Sequence, residues 1–143
     1  MKIYVASSWE NYNAHLNTVD FLRKEGHEVY NFRNPRPGVR GFSWEEIDPE
    51  YERWSMGKMK EKLNHPIAQT GFDLNFQAMQ EADVCVLVLP AGASSHSEAG
   101  WMKGAGKRVY VYQIWGSKPE LMYKLFDGIA SSGNELRKLL KNI

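Results

Sequence analysis

The chain has 143 residues, a length typical of one domain that buries a core without disulfides or metals. Its 18 basic and 17 acidic residues give a net charge of +1 at pH 7, and like charges do not cluster, so a nucleic-acid polymer is not an expected partner. The first residues turn polar at Ser7, too early for a signal peptide or a membrane span, and we expect a cytoplasmic protein without a membrane partner.

A strand and a helix open the chain. Residues 2–6 predict the first strand, and apolar residues at helical spacing follow it, at Leu16, Val19 and Leu22. Gly26 stands where a glycine commonly ends a helix, and residues 28–32 predict a second short strand. The order strand, helix, strand is typical of an α/β fold.

The next part of the chain is rich in prolines and aromatic residues. Residues 33–41 contain Pro35 and Pro37 and predict a loop. A capping-box spacing that begins at Ser43 predicts the start of a helix. We interpret the whole aromatic segment, residues 33–66, as a lid or a subunit contact.

A helix and a buried strand come next. Past Gly71, four residues recur at spacings of three and four and are expected to share one inward helix face: Phe72, Asn75, Phe76 and Met79. Residues 84–89 form a near-continuous apolar run that includes the single cysteine, Cys85. Such a run predicts a central strand buried on both faces of a parallel sheet, with Cys85 as an ordinary buried thiol.

The remaining elements continue the alternation. A helix closed by Gly104 and Gly106 follows the central strand, residues 108–114 predict another strand, and Pro119 and Ser132 mark two further helix starts. The chain is therefore predicted to form an α/β fold, a single domain over residues 1–143 with a doubly wound, mostly parallel sheet and helices on both faces.

Ligands in such sheets bind at the carboxyl ends of the strands. Polar loops leave three of these ends, at Ser7 and Ser8, at residues 31–33 and at residues 90–95, so we expect them to form one crevice. The last loop is built of small residues and starts a helix, whose free N–H groups and dipole favour an anion or a polar sugar.

Glu98 lies one turn into this helix, where the dipole favours the ionised form that a nucleophile requires. The spacing from Ser95 to Glu98 is also a capping box, in which the carboxylate would only bond the N-cap amide. The Tyr4 hydroxyl could reach the crevice from the first strand, or Tyr4 could simply be packed in the sheet. The residues alone leave both alternatives open.

Other polar residues have weaker claims. Asp83 begins the central strand, about 20 Å from the crevice, and is excluded from the chemistry. Asn75 shares the inward helix face, whereas Asp73 could merely cap the helix, so Asn75 is the better candidate. The 4 histidines lack the pairing of metal ligands, and we expect neither a metal nor a cofactor.

Three short motifs occur in order along most of the chain: Ile3-Tyr4-Val5-Ala6-Ser7-Ser8-Trp9, Ala82-Asp83-Val84 and Ser95-His96-Ser97-Glu98-Ala99-Gly100. Together they resemble the nucleoside 2-deoxyribosyltransferase family, including the related deoxynucleotide N-hydrolases. The resemblance implies a flavodoxin-like or Rossmann-like fold and a small-molecule nucleoside or nucleotide as ligand. It also implies N-glycosidic bond cleavage or deoxyribosyl transfer, in a homo-oligomer whose neighbouring subunits complete each site.

The resemblance implies a role for each candidate residue. Glu98 would be the nucleophile of a retaining reaction, and Tyr4 would hold it in place. The acid position of the family falls on Asn75, or on Asp73 two residues earlier. The remaining candidates would bind the substrate: Ser7, Ser8, Trp9, Phe32, Arg33, Gly92, Ser94 and Ser95.

The sequence departs from the family at the general acid. Eight residues before Asp83 stands Asn75, and an amide cannot donate and recover a proton as a carboxylic acid does. Asp73 could replace it only if the helix were shifted, because residues two apart point to nearly opposite faces. Two hypotheses follow, a glycosyl-transferring enzyme and a non-catalytic nucleotide-binding or sensing module that uses the same crevice.

Overall fold

Two compact units make up the chain in the computed structural model, which describes residues 1–116 and 118–143. The first unit comprises residues 1–31 and 79–143, and the second comprises residues 32–78.

A parallel sheet forms the centre of the first unit. Its strands, within the described residues, are β1 (Lys2–Ala6), β2 (Glu28–Tyr30), β3 (Val84–Val88), β4 (Arg108–Tyr112) and β5 (Gly128–Ala130). They lie in the order β2-β1-β3-β4-β5, and every neighbouring pair is parallel. This is the strand order of flavodoxin-like sheets. The predicted fold class is confirmed.

Helices connect the strands. The α-helices of the described chain are α1 (Tyr12–Lys24), α2 (Met56–Lys62), α3 (Pro66–Glu81), α4 (Ala93–Gly104) and α5 (Gly133–Lys141), and 3-10 helices span Trp44–Glu46, Tyr51–Arg53 and Leu121–Leu125. Gly26 and Gly106 follow α1 and α4 with φ of 88° and 83°, as expected for glycines that end helices. Over residues 1–116 and 118–143, no helix combines the length and apolar character needed to cross a membrane.

The two faces of the sheet differ. Alternate strand residues on one face join α1 and α5 in the main hydrophobic cluster, which includes Ile3, Val5, Val84, Val86, Val19, Leu22, Leu136 and Leu140. The intervening residues, Tyr4 and Cys85 among them, point to the opposite face because side chains alternate along a strand. There α4 packs on the sheet, with Ala99 and Met102 fully buried.

The central strand agrees with its prediction, and several boundaries do not. All residues of β3 are buried, including Cys85. β4 ends at Tyr112, before the predicted limit, and the helix expected after Pro119 is only the 3-10 helix Leu121–Leu125. The sequence does not predict β5, because three residues are too few to show a strand period.

Short elements and the first turns of α3 form the second unit. The capping box at Ser43 is present, with the Ser43 N–H donating to the Glu46 carboxylate at 2.8 Å, but it starts only the 3-10 helix Trp44–Glu46. α3 begins at Pro66, earlier than predicted, since proline suits the first position of a helix.

The predicted inward face of α3 is wrong at Phe72. This side chain is 59% exposed and stacks on Phe76, with ring centroids 5.4 Å apart. A pair at a spacing of four residues can therefore contact each other on an open helix surface as readily as in a core.

Candidate active site

The loops after β1 and β3 leave the sheet side by side. Ala6 and Leu87 are register partners near the ends of these strands, and the Asn11 side-chain amide donates to the Pro90 carbonyl at 3.2 Å. Between the loops lies a cavity of about 480 Å³, lined by Ser8, Glu10, Asn11, Pro90, Ala91 and Gly92. The crevice therefore lies at the carboxyl ends of β1 and β3, where the strand order reverses direction and the two loops diverge.

Glu98 lies beyond the first turn of α4, on a longer helix than predicted. The helix begins at Ala93 with Gly92 as its N-cap, and no described side chain caps it. Ser95 is inside the helix and only 3% exposed. The capping-box interpretation of Glu98 is therefore wrong, because its supposed N-cap residue is helical.

A row of three residues lies across the sheet on the face that α4 covers. Tyr4 is the register partner of both Tyr30 in β2 and Cys85 in β3. The rings of Tyr4 and Tyr30 stack, with centroids 5.4 Å apart and planes 13° apart. The Tyr4 side chain is thus held on both sides and is fully buried.

Glu98 and Tyr4 interact in this buried place. Burial raises the pKa of Glu98 to about 7, and its hydrogen bonding with Tyr4 acts in the opposite sense. Burial, followed by the Glu98 charge, raises the pKa of Tyr4 well above its usual value. Within the described residues the buried Tyr4 hydroxyl makes no hydrogen bond of good geometry, and Glu98 is the charged group that acts on it most strongly.

This pair can hold a reactive carboxylate. Near neutral pH a carboxyl group with a pKa of about 7 exists in both protonation states, and the phenol beside it keeps its proton. Cys85 cannot compete as the nucleophile, because burial and then the Glu98 charge raise the pKa of its thiol. The arrangement suits a carboxylate nucleophile or a proton-transferring acid.

The serines of the two loops differ in their surroundings. Ser7 is 8% exposed, and its hydroxyl has no hydrogen-bond partner among the described residues. The Ser8 hydroxyl accepts the Glu10 N–H at 3.2 Å, and Ser8 lines the cavity together with Gly92. Ser94 is exposed near the start of α4. Trp9 is 41% exposed in the loop after β1.

The other candidates belong to the second unit. Phe32 and Arg33 are buried, and the Arg33 guanidinium lies 5.3 Å from the centre of the Phe32 ring. Asp73 is exposed on α3 and accepts a hydrogen bond from Gln69 at 2.8 Å, whereas Asn75 is half-buried on the same helix. Asp73 is therefore engaged in a contact along its own helix, and Asn75 is the more enclosed of the two.

Two features correct or extend the sequence interpretation. Asp83 accepts the Lys2 N–H at 2.8 Å at the amino end of the sheet, which agrees with its exclusion. His96, one of the histidines that lack metal-ligand pairing in the sequence, bonds Gly92 and Tyr123 through its two ring nitrogens. The position of His96, two residues before Glu98, was the one feature of the sequence that could have indicated a role for it near the site. Over residues 1–116 and 118–143, no cluster of three metal-binding side chains occurs.

Comparison with known proteins adds evidence on the fold. Neither a protein-family model nor a curated protein matches the chain in sequence. A 2-deoxyribosyltransferase from Bacillus psychrosaccharolyticus superposes with a TM-score of 0.68 at 20% identity, over 95% of this chain and 90% of that chain. A CMP N-glycosidase from Clostridium botulinum superposes with a TM-score of 0.53 at 15% identity, over 99% of both chains.

A third solved structure, a conserved protein from Enterococcus faecalis, has a TM-score of 0.61 at 15% identity, over 100% of this chain and 99% of that chain. The likeness extends along the whole length in each case. The chain therefore has the fold of nucleoside 2-deoxyribosyltransferase-like proteins, as the resemblance of its motifs predicted.

Proposed function

We propose that the protein cleaves or transfers the N-glycosidic bond of a nucleoside or nucleotide, with Glu98 as the nucleophile. The observation that carries this proposal is the half-buried Glu98 carboxylate, whose pKa is raised to about 7 by burial and which interacts with the buried Tyr4 hydroxyl. Support from the fold comes from a 2-deoxyribosyltransferase and a CMP N-glycosidase, which share it.

The reaction would proceed in two displacements. A Glu98 oxygen attacks the anomeric carbon while the bond from that carbon to the base nitrogen breaks, and the electron pair leaves with the base. Water or a second base then attacks the same carbon, releases the carboxylate and restores the original configuration. Tyr4 would orient the Glu98 carboxylate and favour its ionised form, in line with its effect on the pKa of Glu98.

The departing base needs a proton, but the residue at the expected general-acid position cannot donate one. Asn75 occupies the position of the general acid in the related family, and its amide cannot supply a proton. We propose that turnover favours bases that leave as anions or are protonated by solvent. A non-catalytic nucleotide-binding module remains the second candidate, because Asn75 is the residue that would disable an acid-dependent reaction.

The crevice would bind the sugar or a 5′-phosphate. The first turn of α4 presents free N–H groups after Gly92, and such groups favour an anion. The Ser7 hydroxyl, which has no partner among the described residues, and the cavity-lining Ser8 would add hydrogen bonds. We assign Ser94 and Ser95 supporting roles at the same helix start. The family resemblance adds Trp9, Phe32 and Arg33 as proposed substrate-binding residues.

Base release tests the proposal directly. Wild-type protein is incubated with each deoxynucleoside, each deoxynucleoside monophosphate and NAD, and free base is separated and quantified. Glu98→Ala and the isosteric Glu98→Gln should release no base, whereas Tyr110→Phe, on the opposite sheet face, should match wild type. Equal release by wild type and Glu98→Ala would reject Glu98 as the nucleophile.

A second measurement separates the two candidates. Fluorine at the 2′ carbon slows both displacements, so the probe is a 2′-fluoro nucleoside with a readily leaving base. Mass spectrometry should detect a glycosyl adduct on wild type that Glu98→Gln lacks. A binding module would show no adduct and no base release but would be stabilised by nucleotide, since a ligand of the native state raises the melting temperature. Absence of all three effects would reject both candidates.

We also propose that the protein forms a homo-oligomer. Large apolar side chains are exposed in the segment after β4: Trp115 is 83% exposed, Leu121 74%, Met122 54% and Leu125 56%. A contiguous group of such residues commonly marks an interface. Light scattering should give a mass above that of one 16.4 kDa chain, and Leu121→Lys should reduce it.

A further inference from the structure

His96 has both ring nitrogens engaged. Nδ1 lies 2.8 Å from the Gly92 carbonyl oxygen, and Nε2 lies 2.9 Å from the Tyr123 hydroxyl. A carbonyl only accepts, so Nδ1 must carry the hydrogen. In the neutral imidazole Nε2 then accepts, and Tyr123 donates. The surroundings thus select one tautomer of His96.

Tyr123 is fitted to this donor role. Burial, and then the charge of Glu120, raise the pKa of Tyr123, so its phenol keeps the proton. Its ring stacks on the His96 ring at 5.8 Å, with planes 11° apart, and Phe126 lies on it at 6.1 Å. The 3-10 helix Leu121–Leu125 that carries Tyr123 therefore contacts α4 through this residue while Leu121 and Leu125 stay exposed.

Gly92 makes the pair relevant to the crevice. It is the N-cap of α4, it lines the cavity, and its carbonyl accepts both the His96 ring and the His96 N–H, the latter at 3.2 Å. No described side chain caps the helix, but two side chains bond carbonyls at its start: the His96 ring bonds Gly92, and the Ser97 hydroxyl donates to Ala93 at 2.7 Å.

Glu98 follows His96 by two residues, which places the two side chains on nearly opposite sides of α4. On one side of the helix His96 contacts Tyr123, and on the other side Glu98 interacts with Tyr4. These two interactions, on opposite sides of α4, therefore restrict its rotation about its own axis.

We propose that His96 and Tyr123 are positioning residues that hold the first turn of α4, and with it Glu98 and the Gly92 edge of the crevice. Through Tyr123 they couple this helix to the segment 121–125. The consequence for turnover rests on the proposed function, whereas the consequence for the helix does not.

Variants can separate the two bonds. Tyr123→Phe keeps the stacked ring and removes the donor to Nε2. His96→Asn places an amide near the Nδ1 position, so it can keep the bond to Gly92 and loses Tyr123. His96→Gln reaches toward the Nε2 position and loses Gly92. Tyr110→Phe removes a hydroxyl from the opposite sheet face and serves as the matched control.

The first readout requires no turnover. Nitrogen NMR of wild type should show the Nδ1-protonated tautomer of His96. Tyr123→Phe keeps the Gly92 acceptor and should keep this tautomer, but the Nε2 resonance should shift because Nε2 loses its donor. Carbon NMR of the Glu98 carboxyl should titrate near the pKa of about 7 in wild type. In Tyr123→Phe and His96→Gln the midpoint should fall toward that of an exposed glutamate, because a loosened helix lets water reach the carboxyl group.

The second readout is base release. Tyr123→Phe and His96→Asn should lower kcat about 10-fold with little change in KM, and His96→Gln should also raise KM, since Gly92 lines the crevice. An unshifted Nε2 resonance and a wild-type Glu98 midpoint in Tyr123→Phe would overturn the proposal, whatever the rate of turnover. If wild type releases no base, the proposed function fails while the NMR result still decides the positioning role.

Discussion

Tyr4 and Glu98 change each other's acidity in opposite directions. Hydrogen bonding with Tyr4 counteracts the burial that raises the pKa of Glu98 to about 7, and the Glu98 charge adds to the burial that raises the pKa of Tyr4. A charged carboxylate beside a neutral phenol is therefore the favoured state of the pair once Glu98 has lost its proton.

The rate of base release should rise with pH through about 7. Below that pH Glu98 is largely protonated and cannot attack, so kcat/KM should fall about tenfold for each unit by which the pH is lowered. A pH profile of the wild-type reaction measures the midpoint. A rate that is flat from about pH 5 to 9 would contradict the assignment of Glu98 as the nucleophile.

Glu98→Gln should stabilise the fold at alkaline pH. The folded-state pKa of Glu98 is raised from 4.5 to about 7, so its protonated form is favoured in the fold, and stability falls as pH rises between these two values and levels off above about 7. A neutral amide avoids this loss, which amounts to about 3 kcal/mol near pH 8 at about 1.4 kcal/mol per pKa unit. Urea unfolding should show the advantage at about pH 8 and little difference at about pH 4. An equal difference at both values would show that the Glu98 charge is not destabilising.

Tyr4→Phe should separate activity from stability. Loss of the hydroxyl removes an interaction that lowers the pKa of Glu98, so the midpoint of the pH profile should move above that of wild type. The free energy of unfolding should change by less than about 1 kcal/mol, because the buried hydroxyl makes no hydrogen bond of good geometry within residues 1–116 and 118–143. Tyr110→Phe is the control for loss of a buried phenol. An unchanged midpoint in Tyr4→Phe would rule out its orienting role.

Gly71→Ala should destabilise the second unit. A Cβ at Gly71 would lie 2.6 Å from the Phe42 Cβ and 2.8 Å from its Cγ, which forces the chain near Phe42 to move. We expect a loss of about 1 to 3 kcal/mol from this overpacking. Gly57→Ala is the matched control, since its nearest neighbour is 3.9 Å away and alanine favours a helix. Equal melting temperatures for both variants would contradict the close packing of Phe42 on Gly71.

Local sequence patterns predicted the structure correctly where the pattern depends on a single strand or helix. The apolar run of β3 and the glycine after α1 each describe a single strand or helix end, and both agree with the structure. The strand β5 is different, because its three residues are held by pairing with β4 and not by a period of their own. The start of α4 was misplaced because the spacing from Ser95 to Glu98 satisfies a capping rule inside a helix.

The candidate site was predictable to a similar degree. Glu98 and Tyr4 can be proposed from their motifs, but their contact depends on α4 packing over the face that carries Tyr4. The pair of His96 and Tyr123 joins residues 27 positions apart, which no local spacing reveals.

The row of Tyr30, Tyr4 and Cys85 ties this chemistry to the assembly of the sheet. These residues are register partners on β2, β1 and β3, and a slip of one residue would turn a strand's side chains to the opposite face. A misregistered chain would therefore lack the environment that makes Glu98 weakly acidic. The titration of this one carboxyl group is consequently a built-in reporter of correct strand pairing, and during refolding it should reach its final midpoint only when the three strands are aligned.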